Sequence, residues 1–400
     1  MAGISFYIPD RDDDDHDKYT IKRGDTFHSI AEELGIEWHI LRTYHNTHCA
    51  EDKDVINAYL PSHLPFLLLQ PIKLQANGEP EPVPLKKALL GKDFSLPFQQ
   101  ISMKNDYGVI CTIANGDEVH TLKYELSTKW VDIDQNGYSF YEIDRLSKIY
   151  LNNIESDTIA DELAEKISSV LYPLIVVVDY EGEFVAVHNF QDIKNRWDNK
   201  QPEILEAYPG EETEKYLALF DENLKSEETL SLALSYDWFI RAFFNGIHTG
   251  YTSKLSFERD MYFPFLAKNE DLKFRVTHKM DEYLDENNLI NIDIKGILKD
   301  DRTKTDFEYE LDLPISSSLD QNAVGSYSAK YFLNPNNYKI ETLFIECAIT
   351  LEIPQKFSVM VTDLNAKANL ILGSRESLFV DEVKKEDSFF KMFTDVLRGR

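Results

Sequence analysis

Apolar positions along this chain change period several times, and each change predicts an element. Phe27, Ile30, Ala31 and Leu34 recur at helical spacing after Ile21 and a Gly24-Asp25 turn. The pattern predicts a strand, a tight turn and a helix that Asp25 or Thr26 caps and Gly35 stops. A second short helix is expected around 38–44, and a closing strand within 64–70. From about 101 to 145 the period is two, with Asn115-Gly116 and Asn136-Gly137 as hairpin signals. Helical spacing returns at 158–171, where Ile159, Leu163, Ile167 and Val170 share a face and Asp157 is the expected N-cap.

Residues 174–178 are continuously apolar, which predicts a strand buried on both faces, and Glu181-Gly182 turns it into 184–188. Helices are expected at 190–197, 202–208, 211–224 and 228–247. From 254 to 363 the period of two resumes, with strands expected at 272–276, 291–298, 305–311, 327–333, 340–353 and 357–362. A last helix is expected at 386–398, and no internal repeat is visible. Gln75 to Pro84 is Pro-rich and acidic and reads as an extended linker. The divisions expected are an acidic tail at 1–18, a small domain at 19–72, a linker at 73–100, an α+β domain at 101–253 and a mainly β region with a C-terminal helix at 254–400.

The run Tyr19-Thr20-Ile21-Lys22-Arg23-Gly24-Asp25-Thr26-Phe27-His28-Ser29-Ile30-Ala31, followed by Gly35, Leu41 and Asn46, resembles the LysM module. That family's pattern is Tyr-x-Val-x-x-Gly-Asp-Thr-Leu-x-x-Ile-Ala, a Gly, a Leu and an Asn. The resemblance covers residues 19 to about 71 and implies a small βααβ carbohydrate-binding fold with no catalysis of its own. It also implies that glycan contacts come from the loop after the first strand and the loop before the last. Gly24, Asp25, Thr26 and Asn46 are therefore the candidate ligand or docking residues. Where the family closes with Gly-Gln-x-Leu-x-Ile-Pro, this chain carries a polar insertion from Thr47 to Ser62, which alters half of the expected sugar site. The fold class expected is α+β: a small βααβ LysM-like domain followed by mixed α/β and mainly antiparallel β regions.

Charge narrows the partners. Seventy acidic against 42 basic residues give a formal net charge of −28, so the average surface repels phosphate backbones and anionic headgroups. Nucleic acid and membrane insertion are not expected. Cys49, Cys111 and Cys347 are too few and too widely spaced for a disulfide framework or a paired-thiol metal motif. Met1 to Asp17 runs through Ile8-Pro9 into an aspartate-rich stretch instead of a basic and then apolar segment, so no secretory signal is expected. The expected location is cytoplasmic, with export by a machine that needs no signal peptide as the alternative.

Several constellations invite a chemical reading. Asp132-Ile133-Asp134-Gln135-Asn136-Gly137 copies the start of a calcium-binding loop, but Ile143 stands where the bidentate Glu belongs and the flanks alternate like strands. An Asn-Gly hairpin is expected there. His39, His45, His48, Cys49 and His63 fit no standard zinc spacing and are expected to face solvent. No metal or cofactor is expected. His188, Asn189, Arg196 and Trp197 read either as pocket residues or as a hairpin end passing into a helix. No Gly-x-Ser-x-Gly, phosphate-loop, dinucleotide or His-Glu-x-x-His motif occurs, so no enzyme is expected.

Residues 236–247 carry Trp238, Phe243 and Phe244 on a helix apolar nearly all round, which belongs in a core or at an interface. Phe389, Phe390 and Phe393 repeat the pattern near the C-terminus. These six are the candidate partner surface. Taken with the acidic, LysM-like start, the chain resembles LysM-containing adaptor or baseplate-type proteins of bacterial contractile injection systems, including type VI secretion. That resemblance implies a non-catalytic adaptor, chaperone or structural component whose partners are other proteins. The alternative is a protein that binds or degrades peptidoglycan after export, with N-acetylglucosamine-containing glycan as ligand.

Overall fold

The computed structural model describes residues 16–22, 25–34, 41–42, 44–46, 49, 56, 60 and 63–69. It further describes residues 86–365, apart from 89, 91–93, 99, 101, 153, 156–157, 265–270, 286, 310 and 312–321. Residues 16–69 belong to one compact unit and 86–365 to a second. The expected helix at 386–398, with Phe389, Phe390 and Phe393, lies outside the described residues, as does Gly24.

In the first unit, β1 (Asp17–Thr20) pairs antiparallel with β2 (Phe66–Leu69), setting Tyr19 opposite Leu67. Between them lie α1 (Phe27–Leu34) and helical residues at 41–42 and 44–46. Of the two candidate caps, Thr26 holds the helix: its Oγ1 accepts from the Ser29 N–H at 3.1 Å while Ser29 Oγ accepts from the Thr26 N–H at 2.9 Å. Asp25 serves the turn instead, accepting the Lys22 N–H at 2.7 Å. Ile30, Ala31, Leu41, Ile56, Leu64 and Leu67 form the buried core. His45, expected to face solvent, is buried; its Nδ1 accepts the Leu68 N–H at 3.0 Å, a donor on the side of β2 that β1 does not reach.

The second unit overturns the expected fold class. It is organised by one antiparallel sheet of thirteen strands rather than by an α/β region followed by a separate β region. Its strands are β3 (Asn105–Asn115), β4 (Glu118–Ile133), β5 (Ser139–Arg145), β6 (Tyr150–Leu151), β7 (Ile154–Glu155), β8 (Leu174–Val178), β9 (Phe184–Val187), β10 (Ser256–Phe263), β11 (Leu272–Met280), β12 (Ile290–Leu298), β13 (Val324–Leu333), β14 (Ile340–Thr350) and β15 (Gln355–Asp363). The order runs from β10 through β15 consecutively, then β3, β4, β5, β8 and β9, with the β6–β7 hairpin attached to β4. The joint is β15 with β3, where Asp363 stands opposite Tyr107 and Gln355 opposite Asn115. The expected boundary at 253/254 therefore does not divide the sheet. Every neighbouring pair is antiparallel because hairpins, not crossover helices, connect most strands.

Over most of the sheet one face is packed and the other is more exposed, while β15 is buried at five consecutive residues from Phe357 to Val361. Along β11, Leu272, Phe274, Val276, His278 and Met280 are buried while Arg275, Thr277 and Lys279 are exposed, the period-two pattern of a half-buried strand. Even β8, expected to be buried on both faces, buries Leu174, Val176 and Val178 but leaves Ile175 and Val177 partly exposed. Inserted between β7 and β10 are α2 (Ile159–Ser169), α3 (Phe190–Ala207), α4 (Glu211–Asn223), α5 (Glu227–Leu234) and α6 (Trp238–Phe243). They cover the inward face: Trp238 packs on Phe357 at 4.3 Å between ring centroids and Phe243 meets Tyr107 at 5.1 Å.

Capping and turn chemistry move several elements away from their expected places. Thr158, not Asp157, caps α2, accepting from the Asp161 N–H at 3.1 Å. The two helices expected around Pro202 are one, α3. The single helix expected at 228–247 is broken where Asp237 starts a new one, its carboxylate accepting the Ile240 N–H at 2.9 Å. Residues 305–311, expected as a strand, lie largely in α7 (Lys304–Glu308), because Thr303 and Asp306 form a reciprocal capping box. Part of the expected linker is core as well: Leu96 is buried and bonds to the Thr249 carbonyl, and Phe98 packs on Tyr141 and His248.

Candidate functional site

A sheet of this width must deal with its two edge strands, β9 and β10. Both are brought to the segment following α6. On the β9 side the Phe184 N–H donates to the Phe244 carbonyl at 3.4 Å and the His248 N–H donates to the Glu181 carbonyl at 3.0 Å. Further along β9, Ser231 Oγ accepts the Val187 N–H at 2.9 Å. On the β10 side two arginines make the connection. Arg259, which alternation places among Phe257, Met261 and Phe263, donates from Nη2 to the Asn245 carbonyl at 2.9 Å. Arg241 donates to the Tyr262 carbonyl and, at 3.2 Å, to Asp271.

Between these elements lies a cleft of about 190 Å³ lined by Glu183, Arg241, Asn245, Arg259, Tyr262 and Asp271, among others. Asn245 is itself held from below, its amide donating to the Tyr331 hydroxyl at 2.8 Å and the Tyr327 hydroxyl at 3.2 Å. Gly246 has φ +61, and a Cβ there would stand 3.3 Å from Arg259 Nη1, Arg259 Nη2 and Glu183 Oε2. A side chain would crowd the seam as well as strain the backbone. Among the described residues the lining contains no serine, cysteine, histidine or lysine, and both guanidinium groups are engaged by carbonyl oxygens. The arrangement can latch two edges and place charges in near balance.

A second cavity, about 40 Å³, is lined by Phe98, Tyr107, Tyr141, Phe243, Phe244 and His248, with Asn105 and Lys339 at its polar end. Lys339 pairs with the buried carboxylate of Asp363 and approaches Asn105 Oδ1 at 3.4 Å. His248 Nδ1–H donates to the Pro97 carbonyl at 3.0 Å, and burial pushes its ring down to about 4, so it is neutral near pH 7. The space suits a few waters.

The residues singled out from sequence fall largely into structural roles. Phe244 is 2% exposed, and Trp238 and Phe243 pack against the same core, so the aromatic helix is core and not partner surface. Asn46 spends its side chain on Ile56, donating to its carbonyl at 2.9 Å and accepting its N–H at 2.8 Å. With Asp25 and Thr26 holding the turn and helix start, the described candidate ligand residues all serve local backbone. The Asp132–Gly137 loop is a hairpin turn in which Asp134 Oδ1 accepts the Asn136 and Tyr138 N–H groups, each at 2.8 Å. Asn189 holds the Ile175 N–H at 2.8 Å, Arg196 donates to the Val170 carbonyl at 2.7 Å, and Trp197 donates to Asp221 at 2.6 Å. These three are scaffold. Among the described residues no group of three or more His, Cys, Asp or Glu side chains could hold a metal ion, and no helix is long and apolar enough to cross a membrane.

The surface that sequence reasoning missed is the outward face of the sheet. Charged pairs cross it from strand to strand: Asp260 with Lys273 at 3.1 Å and Arg275 at 3.2 Å, Asp293 with Lys330 at 3.6 Å, Glu346 with Lys356 at 2.6 Å. Amid them one cross-strand row is apolar, Phe344 opposite Met360 opposite Ile110. Those positions were visible as the minor phase of each alternation, but only the strand order aligns them.

No family model matches the chain, and no curated protein matches it. Among solved structures, one titled for lipid–protein interactions in lipovitellin aligns at 11% identity over 68% of this chain and 26% of that one, with a TM-score of 0.35. The chain thus spans about a quarter of that protein. A DUF1329 family protein from Desulfovibrio piger aligns at 8% identity over 68% of this chain and 91% of that one, with a TM-score of 0.15. Likenesses this weak carry no argument about fold or function.

Proposed function

We propose that this chain is a non-catalytic adaptor that holds another protein against the outward face of its sheet, with residues 19–71 as a second docking element. The observation that supports the reading is that face: broad, charged at its margins and apolar in one central row. A specific protein interface needs apolar anchors inside a polar rim, and a few anchors carry most of its free energy. The clefts of the same unit spend their charged groups on carbonyl oxygens and on each other, as expected of scaffold. The setting proposed is the cytosol, and the assembly class is the contractile injection type that the sequence resembles.

The test compares the intact chain with Phe344→Asp and Lys330→Glu in affinity purification from the native cytosol, followed by mass spectrometry. Loss of the same captured protein from both variants, with thermal melts unchanged, is the expected result. Titration with chitooligosaccharides and incubation with muropeptides separate the alternative. Micromolar glycan binding or muropeptide hydrolysis, with no protein lost from either variant, would replace the adaptor with the peptidoglycan reading.

A further inference from the structure

We propose that the cleft at the seam between β9 and β10 is a binding site for a small zwitterion of the α-amino-acid class. Glu183 is the charged group there that the seam leaves over. Its carboxylate makes no hydrogen bond or ion pair among the described residues, and Arg259, across Gly246, turns to Glu181 at 3.8 Å instead. Neither guanidinium is saturated by the latch. Arg241 bonds through Nη2 to the Tyr262 carbonyl and to Asp271, and Arg259 bonds through Nη2 to the Asn245 carbonyl. Arg241 Nε and Nη1 and Arg259 Nη1 make no hydrogen bond among the described residues and are not closed off from solvent, unlike Arg259 Nε.

Gly246 keeps the space between these charges open. An ideal Cβ on it would lie 3.3 Å from Arg259 Nη1 and 3.3 Å from Glu183 Oε2, so cation and anion stand within twice that distance of each other and yet do not pair. Opposite charges that face one gap without meeting leave an attraction that a ligand carrying both signs can use. The balance of signs then decides the class. Two guanidinium groups repel a metal cation, and Glu183 with Asp271 repels a plain anion such as phosphate. A carboxylate taking the guanidinium N–H groups, joined to an ammonium donating to Glu183, is met on both sides. The cleft, at about 190 Å³, is smaller than the roughly 300 Å³ at which drug-sized sites begin, so the ligand is small. Phe184 and Tyr262 also line it, which gives an aliphatic or aromatic side chain apolar cover and a charged one none. Once bound, the ligand ties Glu183 at the start of β9 to Arg259 on β10 and stabilises the second unit by mass action.

Isothermal titration of the full chain with each standard amino acid, up to about 10 mM, tests the site, with thermal melts alongside. Expected are saturable heats and a raised melting temperature with leucine or phenylalanine and weaker effects with aspartate and lysine. Their N-acetyl and amide derivatives, each lacking one charge, should give neither. Glu183→Gln should melt like the parent chain without ligand, because the side chain holds no bond, and should bind about tenfold or more weakly, the loss of one charged hydrogen bond. Glu183→Lys should reject the free amino acid and take its N-acetyl form. No binding by any amino acid would overturn the proposal. So would N-acetyl derivatives binding as well as the free forms, or Glu183→Gln binding like the parent chain. The derivative series uses the parent chain alone, so a variant that fails to fold leaves the test intact. Protein capture on the outward face reads a different surface, so failure here leaves the adaptor reading standing.

Discussion

Arg259 and Asn245 close the gap between one edge of the sheet and the segment that completes the other: the guanidinium donates to the backbone carbonyl at 2.9 Å. An inward-facing arginine on an otherwise apolar stripe thus does at β10 what backbone groups do at β9. Its charge is met by Glu181 at 3.8 Å and its stem passes Phe257, with the cation 5.9 Å from that ring.

Replacing Arg259 with Ala should destabilise the second unit by about 1.5–3 kcal/mol, the usual cost of losing a charged hydrogen bond that is partly shielded from water. Urea unfolding of the full chain measures it. Lys at the same position should recover little, because a point charge cannot reproduce the planar fork. Equal stability in all three chains would show that the latch carries no load.

Gly246→Ala should cost at least as much as the conformational penalty of a left-handed residue, roughly 1–2 kcal/mol. Its Cβ would also push on Arg259 and Glu183 at 3.3 Å. Combined with Arg259→Ala the two costs should add to less than their sum, since both act on one contact. Full additivity would separate the glycine from the seam.

Asn245→Ala leaves the hydroxyls of Tyr327 and Tyr331 without their shared amide donor, while Tyr331 keeps its own bond to the Ala242 carbonyl at 2.9 Å. The expected loss is about 1–3 kcal/mol for unsatisfied buried groups, read as a shift in the urea midpoint. Asn245→Asp should be worse than Ala, because it aims an acceptor and a charge at the same hydroxyls.

Stability should fall on mild acidification. His278 is fully buried, stacked on Phe257 at 4.4 Å between ring centroids, and neither ring nitrogen has a hydrogen-bond partner among the described residues. Burial, with Arg259 nearby, pushes it down to about 3; burial pushes His248 down to about 4. Both lie below the ordinary value near 6.5, so the unfolded chain takes up protons first as pH falls from about 6.5. The stabilising difference is complete above that pH and is lost progressively toward the folded values. At pH 4.5 each histidine should lower stability on the order of 2 kcal/mol relative to pH 7, and His278→Leu should flatten the urea midpoint against pH. An unchanged slope would show that His278 finds a partner in solution.

In the first unit, Ile30→Ala should cost about 2–5 kcal/mol by opening a cavity among Leu41, Ile56 and Leu67. Asn46→Ala should cost about 1–3 kcal/mol by releasing both backbone groups of Ile56. Melting of the full chain, followed by a tyrosine probe for this unit, separates either loss from the larger second unit.

What the sequence determined by itself was local. The turn at Asn136-Gly137, the helix start at Asp25 or Thr26 and the strand at 272–276 depend on residues within four positions of one another, so spacing and turn chemistry suffice to read them. The Thr303–Asp306 capping box was equally local, and its signal was overridden by an apparent alternation. Tertiary structure alone decided the rest. That β15 lies beside β3, making one sheet of what sequence divided at 253, follows from a register between segments far apart, which no local period encodes. The same holds for Trp238, Phe243 and Phe244: an all-round apolar helix suits a core or an interface, and only the inward face of that sheet, waiting with Tyr107 and Phe357, made it core.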